Sequence, residues 1–402
     1  MNKLILNEAK KIQNDLIRYR EYFHMNPEIG FNTKGTTAFI KVILDKNGIQ
    51  YSDCGQSGLV AYIGDFSSDN VFLLRADIDA LPIKEETTIS CKSRNKAMHA
   101  CGHDFHAAML LGASRILKKH EKEINGLIKL IFQPAEEILE GAKDMIKSGV
   151  LDNPKVKGAL MMHVLINSDI PTGTIIVSKP GIGAPAASYF EIKIKGKGCH
   201  GSMPNMGIDP LNIAAHTLIA LQTIQTRELS INDHAALTIG KIEGGTANNI
   251  IPECAYLKGT MRCEEELTYD YMKKRIIEIS KSTAKTFKAT AQIKFVHECP
   301  NLLNDETLSS KVENYVKELL NDKAICVSEL AKTGIKKTSS GSEDFAYISH
   351  QIPSIMLALS CGEYKDGYCY PLHHPKALFD EKALYIGCAT YAYVALRYLQ
   401  DN

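Results

Sequence analysis

The sequence lacks a long apolar run, an excess of either charge and any C-x-x-C pair of cysteines. No segment approaches the roughly 20 consecutive apolar residues that span a bilayer, and the charged N-terminus has no signal-peptide core. Lysine plus arginine (47) nearly balances aspartate plus glutamate (46), so charge gives no reason to expect nucleic acid or a membrane as a partner.

The 11 cysteines are odd in number and scattered singly along the chain. A secreted disulfide framework usually has an even number of cysteines at regular spacings. We therefore expect a reducing compartment, in which most of these cysteines are small buried hydrophobes, and we predict a cytoplasmic globular protein. Its 402 residues allow two or three domains, and its 45% apolar composition can fill their cores.

The first part of the chain alternates helical patterns with short apolar strands. Residues 1–23 are predicted to form an amphipathic helix. Apolar runs at 71–74, 127–132 and 159–162 are typical of strands covered on both faces, and a helical pattern at 104–120 separates the first two. This alternation predicts an α/β domain with a mostly parallel sheet covered by helices. Ligands of such sheets bind beyond the carboxyl ends of the strands, so the residues after each run are site candidates.

The pattern changes at about residue 184. Strict alternation at 189–195 indicates a half-exposed strand, and Asp209-Pro210 occupies the cap and first-turn positions of a helix. The order β-α-β-β-α-β of a split βαβ unit is completed by segments at 236–243, 255–262, 264–287 and 291–297. We therefore predict a small domain at 184–298, inserted into a larger domain that comprises 1–183 and 299–402.

Reactive side chains follow several of the predicted strands. Their thiol, imidazole and carboxylate groups form a set that binds borderline and softer divalent metals. Two adjacent carboxylates also suit hydrolysis, because one can bind a metal while its neighbour removes a proton from water. The segments concerned are Arg75-Ala-Asp77-Ile-Asp79, His99-Ala-Cys101-Gly-His103, Glu136-Glu137, His163 and Leu372-His373-His374-Pro375.

Each of these segments alone also has a purely structural explanation. Cys101 can be a buried thiol beside a helix cap, and Glu136-Glu137 can be a solvated first turn. His163 can be a hydrogen-bonded core histidine, and His373-His374 a polar turn. The combination of all these segments, rather than any single one, favours a metal site.

The ordered set also contains His200-Gly-Ser-Met-Pro204 and Asn249-Ile-Ile-Pro252, and it extends from His24-Met-Asn-Pro27-Glu28 to His373. As a whole it resembles the aminoacylase/carboxypeptidase family of dinuclear metallopeptidases. The nearest branch holds hippurate hydrolases, indole-acetyl-amino-acid hydrolases and N-acetyl-diaminopimelate deacetylases. The resemblance implies a catalytic α/β domain with an inserted ferredoxin-like (βαββαβ) lid.

For the catalytic domain, the resemblance implies a dinuclear metal site. It implies Glu136 as the general base and Asp77 as a residue that orients a ligand. The metals would be two divalent ions per subunit, chosen among zinc, manganese, cobalt and nickel, and their implied ligands are Cys101, His103, Glu137, His163 and His373.

For the lid, the resemblance implies contacts with the substrate. His200 would stabilise the oxyanion, reaching the active site of a partner subunit, so a homodimer through the lid is implied as well. Asn249 and Arg262 would bind the substrate, and the guanidinium of Arg262 suits a carboxylate. The hinges of lid closure would lie near 181–183 and 299–300.

Two positions depart from the family pattern or leave it open. Arg75 stands where other branches have a metal-binding histidine, so His103 must compensate for it. His374 beside His373 leaves the choice of ligand open, and His373 is preferred because the family places its ligand two residues before the proline.

The implied reaction is the metal-dependent hydrolysis of the amide bond of small N-acyl amino acids, with acetyl, benzoyl or similar acyl groups. Its products are a carboxylic acid and a free amino acid. Three alternatives stay open: a metallo-dipeptidase or carboxypeptidase with the same site, a hydrolase with Cys101 as its nucleophile, and a binding protein without activity.

Overall fold

The computed structural model describes residues 1–326, 329 and 341–402, which form two compact units. The first unit contains Met1–Gly183, the described part of 303–339, and Asp344–Asn402. The second unit contains Ala184–Leu302 and the described part of 340–343. The chain therefore leaves the first unit after Gly183 and returns to it later.

The described residues of the first unit are built on an eight-stranded sheet. The strands Val71–Asp77 and Leu127–Gln133 are buried at every position, which explains why they read as continuous apolar runs. These two strands, Gly158–Leu165 and Ser354–Ser360 are the four central strands and run parallel. The prediction of an α/β fold with a mostly parallel sheet is confirmed. Across the sheet the order is Gln50–Cys54, Gly58–Gly64, Leu127–Gln133, Val71–Asp77, Gly158–Leu165, Ser354–Ser360, Ile175–Val177 and Ala324–Cys326.

The helices of the first unit supply most of the remaining core. His103–Lys119 packs against the C-terminal helix Leu384–Asp401, and both are buried along most of their length. None of the described helices is both long and apolar enough to cross a bilayer. Within the part of this unit that the structure describes, the α-helices are Asn2–Lys11, Gln13–Met25, Lys34–Lys46, His103–Lys119, Gly141–Lys147, Glu306–Leu320, Ala346–Ser349 and Leu384–Asp401.

The N-terminal segment differs from its prediction, because it forms two helices rather than one. The break lies at Ile12, whose N–H donates to the carbonyls of Glu8 and Ala9. Ala9 and Leu16 are buried on either side of the break. The apolar stripe therefore continues through the break, and its periodicity gives no sign of it.

The second unit contains a four-stranded antiparallel sheet and two long helices. Phe190, Ile192 and Ile194 are buried while Glu191 and Lys193 are not, as the alternation predicts. The sheet order is Ala235–Gly244, Cys254–Cys263, Ala186–Lys195 and Thr290–Cys299, and the helices are Pro210–Thr223 and Glu266–Thr286. Short strands of this unit occur at Cys199–His200 and Ile250–Ile251, while the short strands Gly181–Ala184 and Leu302–Asn304 include the first and last residues of its main segment.

Candidate metal centre

Three central strands of the first unit end at a cluster of polar side chains. Asp77 and Gln133 are the last residues of two neighbouring strands, and His163 lies near the end of the third. The interior of these strands is mostly apolar, so the strand ends are where parallel strands can present functional groups to a ligand.

A tight turn at Gly102 brings Cys101 and His103 to the same place. Gly102 has a φ of 83° and begins the helix His103–Lys119. A Cβ atom at this position would lie 2.3 Å from Val164 Cγ2, so the turn requires glycine both for its conformation and for space. The sequence Cys101-Gly-His103 is therefore explained by the close approach of this turn to the strand that contains His163.

Cys101 is shared by two groups of side chains with the spacing of metal ligands. Its Sγ lies 3.5 Å from His163 Nε2 and 3.2 Å from His373 Nε2. Cys101, His103 and His163 form one group, and Cys101, Glu137 and His373 form the other, with all ligand atoms of a group within 4.8 Å of one another. The structure thus brings together the five side chains that the sequence predicts as ligands.

The two histidines of the first group are oriented by backbone carbonyls. Nδ1 of His103 donates to the carbonyl of Asp79 (2.9 Å), and Nδ1 of His163 donates to that of Val164 (2.8 Å), so Nε2 is the nitrogen of each ring that is left for a cation. His103 Nε2 is buried and makes no hydrogen bond within the described residues, and it lies 3.8 Å from Glu137 Oε1. A buried imidazole nitrogen without a hydrogen-bond partner, beside a thiol and a carboxylate, fits a divalent cation.

The electrostatics of Cys101 favour a metal ligand over a nucleophile. Burial, together with the charge of Glu137, raises the pKa of the Cys101 thiol well above its ordinary value. Burial also lowers the pKa of His163 to about 3, so this imidazole is neutral. A thiol with a raised pKa is a weak nucleophile, whereas a bound cation stabilises its thiolate form.

Asp79 holds the two adjacent glutamates in position. Its Oδ1 accepts the backbone N–H of Glu136 (2.9 Å) and its Oδ2 that of Glu137 (3.3 Å). Glu136 Oε2 lies 3.9 Å from His103 Nε2, so both glutamates face the same centre. The sequence motif contains Asp79, but sequence reasoning assigned it no role, because its partners are 57 and 58 residues away.

A fully buried network lies behind the centre. Arg75 donates to Gln133 Oε1 (2.9 Å), Asp77 Oδ2 (2.7 Å) and Asp344 Oδ1 (2.9 Å), and all four side chains are buried. Burial alone would raise the pKa of Asp77, but the cationic Arg75 helps to hold that pKa well below its ordinary value. Sequence reasoning noted Arg75 as a departure and missed Asp344.

The two adjacent histidines near the C-terminus face different surroundings. His373 Nε2 lies 3.2 Å from Cys101 Sγ and 3.7 Å from Glu137 Oε2. The ring of His374 instead stacks on Tyr370 with centroids 4.4 Å apart, and its Nδ1 accepts the N–H of Lys376 at 3.0 Å. The geometry therefore favours His373 as the ligand.

His200 and Asn249 lie in the second unit, on adjoining segments. His200 is exposed, and its Nδ1 accepts the backbone N–H of Ser202 at 3.2 Å, so Nε2 carries the ring proton. The carbonyl of Asn249 accepts the N–H of Gly201 at 2.8 Å, and Asn249 is exposed as well. His200 thus offers an N–H donor at the surface of this unit.

Arg262, also in the second unit, is held by its neighbours. Its Nη2 donates to Tyr189 Oη at 3.2 Å, its Nη1 donates to the carbonyl of Met261 at 3.0 Å, and its guanidinium lies 5.1 Å from the centre of the Tyr189 ring. These contacts restrict the guanidinium on a half-buried strand position.

The chain is similar over most of its length to one protein family and to several known proteins. The model of "Peptidase family M20/M25/M40" matches residues 73–397. N-acetyl-L-cysteine deacetylase of Bacillus subtilis is 35% identical over 393 residues, which cover 97% of this chain and 89% of that protein. IAA-amino acid hydrolase ILR1-like 2 of Arabidopsis thaliana is 34% identical, with 96% and 86% covered. Thermostable carboxypeptidase 2 of Saccharolobus solfataricus is 33% identical, with 98% and 97% covered.

Solved structures show the same architecture. An aminohydrolase from methicillin-resistant Staphylococcus aureus superposes with a TM-score of 0.88 and 32% identity, over 99% of this chain and 100% of that chain. The YXEP protein of Bacillus subtilis, a dinuclear metal-binding peptidase, superposes with a TM-score of 0.76 and 30% identity, over 97% and 99% of the two chains.

Proposed function

The chain belongs to the peptidase family M20/M25/M40 and is an amidohydrolase of the N-acyl amino acid type, and we propose that it works through a dinuclear metal centre built around Cys101. The observation that supports this proposal most strongly is the sharing of Cys101 by two ligand groups beside a second glutamate, Glu136. The products are a carboxylic acid and a free amino acid.

Two divalent cations would be held by the two ligand groups of the centre. Cys101, His103 and His163 would hold one, and Cys101, Glu137 and His373 the other. When bound, the cations supply an acidified water and a polarised substrate carbonyl. A thiolate ligand favours zinc. The other candidate metals are manganese, cobalt and nickel.

Glu136 is proposed as the general base. It would accept a proton from the attacking water and return it to the nitrogen of the leaving amine, which completes cleavage of the C–N bond. Its backbone N–H bond to Asp79 and the 3.9 Å between its Oε2 and His103 Nε2 support this role, because they hold the carboxylate beside the ligands.

The second unit is proposed to act as a ferredoxin-like lid and dimerisation domain, with hinges near 181–183 and 299–300. His200 would stabilise the oxyanion in the active site of a partner subunit, which its exposed Nε2–H supports. Arg262 would bind the substrate carboxylate and Asn249 would contact the substrate. A cytoplasmic location is proposed as well, supported by eleven cysteines that are all free thiols.

The alternative function is a metallo-dipeptidase or carboxypeptidase with the same site. The similarity to a thermostable carboxypeptidase supports this alternative. The same site could serve either reaction, because both reactions cleave an amide next to a free carboxylate. A cysteine hydrolase is disfavoured by the raised pKa of Cys101. A binding protein without activity is disfavoured because every expected ligand and Glu136 are present in the chain.

Release of free amino acids from a panel of N-acetyl and N-benzoyl amino acids is the test of the proposed function. We expect turnover that EDTA abolishes and that added Mn²⁺, Co²⁺ or Zn²⁺ restores. Dipeptides in the same panel separate the alternative, since turnover of dipeptides alone would establish a peptidase. Turnover that is indifferent to EDTA would overturn the metal centre.

A matched pair of variants tests the choice between the adjacent histidines. We expect His373→Asn to lose one of the two metal ions per subunit, because it removes a ligand beside Cys101 and Glu137. His374→Asn should retain both ions, because His374 stacks on Tyr370. Elemental analysis after dialysis measures the metal content, and loss of metal from His374→Asn alone would assign the ligand to His374.

A further inference from the structure

His106 is a buried histidine that has no part in the proposed reaction. It lies one helical turn after His103, and its side chain is fully buried. Its Nε2 accepts the backbone N–H of Val164 at 3.0 Å, and its Nδ1 contacts Asp77 Oδ1. Because a backbone amide can only donate, Nε2 carries the lone pair and Nδ1–H donates to the carboxylate. The tautomer of His106 is therefore determined by its two partners.

These two hydrogen bonds separate His106 from the metal ligands. The ligand-atom spacing groups it with Asp77 and His103. However, the lone pair that a cation would need already accepts the Val164 amide, whereas His103 Nε2 makes no hydrogen bond within the described residues. His106 supports the centre from behind instead of binding a cation.

Through Val164, His106 restrains the direction of His163. The N–H of Val164 donates to His106 and the carbonyl of Val164 accepts His163 Nδ1 at 2.8 Å. The rings of His106 and His163 also meet edge to face, with centroids 4.7 Å apart. The backbone of Val164 thus bonds to both histidines. These bonds hold the ring of His163, whose Nε2 lies 3.5 Å from Cys101 Sγ.

Through Asp77, His106 also restrains the environment of His103. Asp77 accepts a hydrogen bond from His106 on Oδ1 and one from Arg75 on Oδ2. The same Oδ2 lies 3.6 Å from His103 Nε2. The rings of His103 and His106 stack with centroids 5.3 Å apart. Both histidines of the first ligand group therefore depend on one residue.

We propose that His106 is a positioning residue that sets the metal affinity of the group Cys101, His103 and His163, and not that of the group Cys101, Glu137 and His373. Its contacts with Val164, Asp77 and the rings of His103 and His163 reach the two ligands that the first group alone contains. The inference rests on the proposed dinuclear centre. Residues that orient ligands in this way typically change metal affinity by about 10- to 100-fold.

Stepwise titration of the metal-free protein with Co²⁺ against a chromogenic chelator tests the proposal. The wild type should bind two ions per subunit, with a thiolate-to-cobalt absorption band. We expect His106→Phe, which keeps an aromatic ring but loses both hydrogen bonds, to weaken one of the two affinities about 10- to 100-fold and to leave the other unchanged. In this variant, the thiolate-to-cobalt absorption band of the more weakly bound ion should be shifted in wavelength or reduced in intensity at low cobalt occupancy.

Two conservative variants distinguish positioning from general damage. His106→Asn can still donate to Asp77 and His106→Gln can still accept from Val164, so each should recover part of the lost affinity. His120→Gln, at the C-terminal end of the same helix, is the matched control and should bind both ions like the wild type. Equal weakening of both ions in His106→Phe, without recovery in either variant, would show a merely structural role and overturn the proposal.

The failures of the two proposals are distinguishable. A wild type that binds no cobalt would overturn the proposed centre, and this inference with it. A wild type with two ions, together with a His106→Phe variant that has the same two affinities, would overturn this inference alone.

Discussion

The substitution Glu136→Gln is expected to lower kcat by about 10²–10⁴-fold, the usual contribution of a general acid or base. Glutamine has the same shape, and its backbone N–H can still donate to Asp79, so the side chain should stay beside His103. An amide at this position can neither accept the proton of the attacking water nor return it to the leaving amine. The loss should therefore fall on kcat, with KM little changed.

Glu137→Gln is the matched control for this prediction, because the two glutamates are adjacent and both are held by Asp79. We expect Glu137→Gln to lose metal and Glu136→Gln to retain it. Metal analysis and steady-state kinetics on the same preparations separate the two roles. A metal-replete Glu136→Gln protein with a near-normal kcat would remove Glu136 from the mechanism.

The sequence indicated which side chains come together, because most of them follow regular apolar elements that are easy to recognise. Continuous apolar runs identify the central strands, and the side chains that follow them, such as His163, come to one edge of the sheet for topological reasons. The order of the motifs then assigned a role to each side chain through the family resemblance. The five side chains that were predicted as ligands lie together in the structure, and their role as ligands stays a prediction.

The residues that support the ligands were not predictable in the same way. Asp79 bonds to residues 57 and 58 positions later, and Arg75 bonds to Asp344 across 269 positions. Such pairs have no local period and no spacing rule, so a single sequence gives no signal for them. His106 has a weak signal, since it lies one turn after His103, but its partner Val164 is 58 positions away.

The choice between His373 and His374 is a similar case. Neighbouring residues in a turn have almost the same sequence context, and the direction of each side chain depends on backbone angles that composition does not reveal. His373 has a φ of 64°, an unusual value for a residue other than glycine. That conformation accompanies the approach of its ring to Cys101.

Arg75→Met is the prediction with the largest expected effect on stability. Arg75 donates to Asp77 and Asp344, and all three side chains are fully buried. Methionine would fill much of the space but would leave two carboxylates inside the protein without their cation. Removing one partner of a buried ion pair typically costs about 3–5 kcal/mol, because the remaining charge is not compensated. We expect a loss of this size in the free energy of unfolding.

Urea unfolding followed by circular dichroism measures this loss, since the sequence has no tryptophan for fluorescence. Chelator should be present throughout, because a bound metal would add its own stabilisation. Arg115→Met is the matched control. Arg115 bonds to Asp15 and Tyr19, but its side chain is 24% exposed, so its loss should cost about 1 kcal/mol or less.

The pH dependence of the Arg75→Met effect tests its electrostatic origin. In the wild type, Arg75 helps to hold the pKa of Asp77 well below its ordinary value, so this carboxylate contributes stability above the pKa of the unfolded state and loses it as the pH falls. In the variant, burial without the cation should raise the pKa of Asp77, so that the folded state is favoured by protonation. The difference in stability between the two proteins should therefore shrink in acidic buffer. A difference that stays constant with pH would attribute the loss to packing rather than to charge.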